Sequence, residues 1–217
     1  MNTVSSELIW QSIYETIYMV SVSLFIGTLL GIPLGLFLVI TRKNGIRPNN
    51  WFFNLLNGII NIFRSVPFII LLVAVTPLTR LIVGQTYGTT AAIVPLIIFI
   101  APFIARLIET SLLEVGPGII ELSKSLGATT FQTIRYFLLP EALGSIVLTL
   151  TTATISLIGA TAMAGTIGGG GIGSLAITYG YERFNTYVIF LTVIILIIIV
   201  QLIQGIGNRL SKKLRHE

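Results

Sequence analysis

Residues 117–140 read PGIIELSKSLGATTFQTIRYFLLP and stand between two long apolar stretches. Pro117 suits the first position of a helix, where its missing N–H is not needed. Ile119, Ile120, Ser123 and Leu126 then recur at helical spacing, with Glu121 and Lys124 toward the other face. Gly127 accepts the positive φ that ends a helix. Thr129 and Gln132 have the spacing of a capping box for a second short helix. Phe131, Ile134, Phe137 and Leu138 give that helix its apolar face. Leu139-Pro140 closes it and turns the chain into the next apolar stretch. The expectation is a helix–turn–helix over 108–141, held at a membrane face.

The flanking stretches belong to a chain of 217 residues that is 54 % hydrophobic and only 10 % charged, with mean hydropathy +0.95. A soluble domain carries about 25 % charged residues. So little charge cannot cover a soluble surface, and disorder would need the opposite composition. The class is an all-α polytopic membrane protein. The whole of 1–217 reads as one transmembrane domain with a core over 12–208. Cysteine is absent, which excludes disulfides, thiolate catalysis and Fe–S clusters. The single histidine, His216, stands beside the C-terminus, so no histidine metal cluster is expected. Met1–Tyr14 has no basic n-region, and no secretory signal peptide is expected.

A span needs about 20 mostly apolar residues. Five stretches qualify: Thr16–Ile40, a second within Trp51–Leu78 that Arg64 interrupts, Thr90–Leu107, Ala142–Gly165 and Thr186–Gly207. The N-terminal segment is polar and supports no sixth. Ten of the 13 Lys and Arg residues fall after span one, between spans three and four (counting Arg106 at the edge of that loop), or in the tail. Only Arg80 and Arg183 fall on the other side, with Arg64 inside a span. Basic residues concentrate on the cytoplasmic side, so the N-terminus is expected outside and the C-terminus inside. The net charge of +5 is therefore an orientation signal, and no nucleic-acid partner is expected.

Gly27, Gly31 and Gly35 form a doubled G-x-x-x-G in span one, which lets helix backbones approach closely. Packing within the chain is the expected use, and a dimer contact is the alternative. Gly168, Gly170 and Gly173 fit G-x-G-x-x-G, but no strand precedes them and no P-loop exists anywhere. A tight external turn leading to Tyr179 and Tyr181 is expected instead.

Glu121-Leu122-Ser123, three residues, Gly127, nine residues, Phe137, one residue and Leu139-Pro140 resemble the EAA motif of bacterial ABC importer permeases. Leu122 and Ser123 stand for two alanines and Phe137 for isoleucine. Asn61–Leu72 resembles the F-R-[SG]-x-P segment of amino-acid permeases. Ala91–Leu96, Ala101–Arg106, Leu138–Leu143 and Ala162-Met163 resemble the methionine importers of that family. The likeness spans about Trp10 to Leu210.

The resemblance implies a type I ABC importer permease fold of five transmembrane helices in the bacterial cytoplasmic (inner) membrane. It implies a second copy of the chain, two cytoplasmic ABC ATPase subunits and an extracytoplasmic substrate-binding (lipo)protein. The permease would catalyse no reaction and bind no cofactor, with ATP hydrolysed by the separate subunit. Coupling to the ATPase would fall to Pro117, Glu121, Ser123, Lys124, Gly127, Ala128, Phe137, Leu139 and Pro140. Methionine, D or L, is the implied cargo; another amino acid or a small peptide stays open, because an external protein does much of the selecting.

Span four is rich in small and hydroxyl residues, which suit either a polar path without buried charge or close helix packing. Ser156, Ala160, Thr161 and Met163, with Phe68, are the pathway or gate candidates. Two Met163 side chains facing each other would make a polarisable plug. Arg64 is read as snorkelling to the cytoplasmic interface in preference to touching substrate. Arg106 and Glu109 have the spacing of a helical ion pair. An ion-coupled secondary transporter would show acids at mid-membrane. There is no Asp, and every Glu falls at a span edge, in a loop or in the tail. A membrane enzyme would need a cluster of nucleophile, base or metal ligands, and none is visible.

Overall fold

The computed structural model describes residues 4–215, so His216 lies outside the described residues. Every regular element among them is helical. Helix α1, Ser6–Thr41, starts where the Ser5 side chain caps the Leu8 N–H at 3.3 Å. It begins ten residues before the expected span, so the polar N-terminal segment extends the first helix. At 36 residues it is about 54 Å long, well over the roughly 30 Å of a hydrocarbon core.

Helix α5, Thr89–Leu113, lies at the centre of the molecule and packs most extensively on α1. The buried stripe of α1 runs through Ser12, Thr16, Met19, Ser23, Gly27, Gly31, Gly35 and Leu38. The three glycines bring the backbones together. A Cβ on Gly31 would lie 2.8 Å from the Ala101 carbonyl oxygen, and one on Gly35 would lie 2.7 Å from that of Ala105. Gly27 meets the Ile100 side chain in the same way. Within the chain, the doubled G-x-x-x-G is thus a helix seam.

The second apolar stretch departs from the expectation of one span interrupted at Arg64. It forms α2 (Asn50–Ser65), α3 (Phe68–Ala74) and α4 (Thr76–Val83). The break falls after Arg64, at Val66-Pro67, where α2 and α3 meet at 100°. Proline disfavours the α region for the residue before it, and Val66 takes φ −85°, ψ 121°. Gly84 ends α4 at φ 82°. Among the described residues, four helices are long and apolar enough to cross a membrane, or five with the bent α2–α3 pair as one.

After α6, Pro117–Ser125, the chain continues through α7, Thr130–Gln132, a π-helical turn at Thr133–Leu138, and α8, Leu139–Ala164. The sequence expectation ended a helix at Leu139-Pro140; instead helix runs unbroken over Thr130–Ile167. The widened turn is the reason. Leu139 N–H donates to the Ile134 carbonyl five residues back, and this register makes room for a proline ring that would clash in an ordinary helix. The glycine run turns tightly, with Gly168, Gly170 and Gly171 all at positive φ. It leads through α9, Gly171–Ser174, and a second π-helical turn, Leu175–Tyr181, to α10, Thr186–Leu214. The turn is anchored on α1, where Glu15 accepts from Gly171 N–H at 2.7 Å and Thr16 Oγ1 from Ile172 N–H at 2.9 Å.

Overpacking a close seam costs about 1–3 kcal/mol. Gly31→Val is expected to lower the unfolding midpoint of the detergent-solubilised protein by about 5 °C. Gly205→Ala, where a Cβ enters open space, should leave it unchanged or raise it. Equal midpoints for the two variants would refute the seam.

Candidate functional site

The helix–turn–helix is built by local hydrogen bonds. At the end of α6, Ala128 N–H donates to Ser123 O and Gly127 N–H to Lys124 O, both at 3.0 Å. This pair of bonds around a residue at positive φ is a Schellman motif, and Gly127 has φ +69°. Thr129 N–H then donates to Gln132 Oε1 at 2.8 Å, and Gln132 N–H to Thr129 Oγ1 at 3.3 Å. The capping box is present as the spacing indicated.

Ser123 ties this unit together. Its side chain is fully buried, and the Thr133 hydroxyl donates to it at 3.1 Å. Ser123 in turn donates to Ile120 O at 2.8 Å. The bond ties α6 to the π-helical turn, and through that turn to α8. Sequence reading placed Ser123 in the motif but not this bond, because Thr133 lies ten residues away.

Two residues leave the apolar faces assigned to them. Leu126 is 67 % exposed and Phe131 is 71 % exposed. Helix α6 stops at Ser125, so Leu126 no longer follows its periodicity, and Phe131 sits at the first turn of its helix. With Leu122 and Tyr136, also exposed, they leave apolar area open on a short polar-framed element. Glu121, Lys124, Gly127, Pro117 and Pro140 are exposed too, whereas Ala128, Phe137 and Leu139 are half-buried.

Helix α8 carries one open face. Thr152, Ser156, Gly159, Met163 and the following Thr166 recur three or four residues apart. None of them is buried, and a Cβ on Gly159 would meet nothing within 4 Å. Phe68, Ala160 and Thr161 spend their surfaces differently. Each is buried within the chain, and the Phe68 ring meets Phe99 edge-on at 5.1 Å. Of the residues named for the path, Ser156 and Met163 keep an open side. Thr152, Gly159 and Thr166 join them by helical spacing, a periodicity hidden in the sequence by small residues on every face of this span.

Arg106 and Glu109 form the expected ion pair at 2.5 Å, and it is the only ion pair among the described residues. Arg106 also donates to Asn57 Oδ1 at 2.6 Å and Asn61 Oδ1 at 2.8 Å. These contacts fasten α2 to α5. Arg64 is exposed and has no hydrogen-bond or ion-pair partner among the described residues. No group of acids, cysteines or histidines able to hold a metal occurs among the described residues.

Residues 27–216 match the family model for the binding-protein-dependent transport system inner membrane component. The chain belongs to this family. It is 48 % identical over 212 residues to the probable D-methionine transport system permease protein MetI of Vibrio cholerae, covering 98 % of this chain and 94 % of that one. The D-methionine transport system permease protein MetI of Escherichia coli K12 is 46 % identical over 164 residues, covering 74 % and 76 %. A solved structure described as inward-facing conformations of the MetNI methionine ABC transporter superposes with a TM-score of 0.94. It shares 43 % identity and covers 97 % of this chain and 99 % of its own. An amino acid ABC transporter crystallised with histidines shares the fold at a TM-score of 0.75 and 21 % identity, over 97 % and 99 % of the two chains.

Losing one partner of a buried hydrogen bond costs about 1–3 kcal/mol. Ser123→Val should therefore lower the unfolding midpoint by roughly 2–6 °C. In the assembled transporter it should reduce substrate transported per ATP hydrolysed. Uptake and hydrolysis falling in equal proportion would show that the bond is not a coupling element.

Proposed function

We propose that this chain is the permease subunit of an ATP-driven importer that carries methionine, as the D or L form, by alternating access. The observation that carries the reading is the match to the methionine transporter over 97 % of the chain at 43 % identity and a TM-score of 0.94. Likeness of that depth supports a shared function as well as a shared fold.

The assembly that fits is two copies of this chain, two ATPase subunits on the cytoplasmic side and an external binding protein. The bent α2–α3 pair counts as one span, which makes five, with the N-terminus outside and the C-terminus inside. The charge distribution supports this orientation. Loop 42–49, the end of α5, the α6 region and the end of α10 lie at one end of the molecule, where Ser211 bonds Gly144 O and Glu114 bonds Ser145. That end holds most of the Lys and Arg residues, as expected of a cytoplasmic face. The chain needs no cofactor of its own, since ATP stays with the partner.

The coupling unit is the helix–turn–helix within 108–141. Its exposed Leu122, Leu126 and Phe131 provide the apolar core of a contact, framed by Glu121 and Lys124. Pro117 starts the docking helix, Gly127 and Ala128 turn the chain, and Phe137, Leu139 and Pro140 pass the motion into α8. Closure of the ATPase pair then rotates a rigid unit, one of the recognised ways of converting a local event into alternating access. Met163, on the open face of α8 near its outer end, is the gate candidate.

The test is reconstitution in proteoliposomes with the ATPase and binding protein. Uptake of labelled D- and L-methionine should require ATP and the binding protein and should survive collapse of ion gradients. Phe131→Asp should abolish co-purification of the ATPase while the permease still enters the membrane. Gradient-driven uptake without ATP would overturn the assignment.

A further inference from the structure

Helix α2 carries a feature that fold and coupling leave unused. Asn50, Asn54, Asn57, Asn61, Arg64 and Ser65 recur three or four residues apart and fall on one face. The apolar side of α2 packs elsewhere: Ile60 is buried with Leu38 and Ala105, and Leu56 and Phe63 line a groove with Ile98 and Pro102. Asn57 and Asn61 hold Arg106, but Asn54, Asn61, Arg64 and Ser65 keep exposed surface.

The depth of Arg64 follows from its neighbours. Phe63 lines one groove with Ile98 and Pro102, and the Phe68 ring meets that of Phe99 edge-on. These are the middle residues of α5, a helix of 25 residues. Half a hydrocarbon core is about 15 Å, beyond the reach of one arginine side chain. Snorkelling to the interface, the sequence expectation, does not fit this position. Charged side chains at such a depth face water or a counter-charge.

Among the described residues, no acidic side chain of this chain supplies the counter-charge. There is no Asp among its 217 residues. Glu7, Glu15 and Glu182 lie toward one end, Glu114, Glu121 and Glu141 toward the other, and Glu109 is held by Arg106. Glu217 is the last residue of the tail. Lipid phosphates stay at the headgroups, a half-thickness away.

We propose that the asparagine-lined face of α2 is a wall of the water-filled path and that Arg64 binds the carboxylate of the amino-acid cargo. This rests on the importer function proposed above. A guanidinium fork matches a carboxylate with two parallel hydrogen bonds. The break at Val66-Pro67 stops α2 just beyond Arg64 and swings α3 aside, which leaves the fork uncovered at the top of the polar face.

The absence of native cysteine makes the test clean. Single cysteines replace Asn54, Asn61 and Ser65 on the polar face and Leu55 and Ile62 on the other. Each is assembled with the ATPase and binding protein in proteoliposomes. A membrane-impermeant thiol reagent should modify the first three and spare the last two, and cargo should slow modification of Ser65→Cys. Arg64→Gln should reduce methionine uptake by about tenfold or more, with Arg64→Lys between it and the unaltered protein. ATPase co-purification with both Arg64 variants checks assembly. Equal labelling of both faces, or none, overturns the conduit. Undiminished uptake by Arg64→Gln overturns the carboxylate site while the importer stands. An unaltered complex that imports no amino acid overturns the importer reading and the site with it.

Discussion

Inside a bilayer the lipid tails are as apolar as any leucine, so hydrophobicity does not press one helix onto another. Close contact has to come from surfaces that fit. In this chain that fit is the seam where Gly27, Gly31 and Gly35 of α1 lie directly on the backbone and β-branched side chains of α5. Three further elements are placed from α5. The bent pair α2–α3 leans on it, the Arg106 cluster fastens α2 to it, and α8 packs on it with Ser111 and Thr149 sharing a hydroxyl hydrogen bond at 2.7 Å.

The second requirement is transmission. A docking element hung on a flexible loop would absorb motion instead of passing it on. Here the chain from Thr130 to Ile167 is one helix of 38 residues, about 57 Å long, and the Ser123–Thr133 bond clamps α6 to its N-terminal end. In the proposed mechanism a displacement at α6 would reach the open face bearing Ser156 and Met163 along one continuous helix. The π-helical turn at Thr133–Leu138 is what makes the continuity compatible with Pro140.

Legibility followed the range of the interaction. Hydropathy located every apolar stretch, because a span is a sum over about twenty residues and tolerates local error. The Schellman turn at Gly127 and the Thr129–Gln132 box were readable because both partners lie within five residues. The Arg106–Glu109 pair was readable for the same reason, while Asn57 and Asn61, almost fifty residues away, were not. Angles and faces were harder. Pro67 announces a break, but a bend of 100° depends on what α3 finds to pack against. In α8, small residues occupy all sides, so only neighbours distinguish buried Thr161 from exposed Met163.

Charge ties these levels together. The basic residues gather mostly at one end, and the acids keep to the ends or are neutralised by Arg106. That leaves the middle of the protein almost free of charge, which suits a passage whose energy comes from outside the membrane. Arg64 is the exception, and its isolation has a physical consequence. A fixed counter-ion beside it would hold the guanidinium permanently satisfied and leave nothing for a passing carboxylate to gain. An unpaired cation in a water-lined wall offers a weak, reversible stop, favourable enough to admit an amino acid and loose enough to release it.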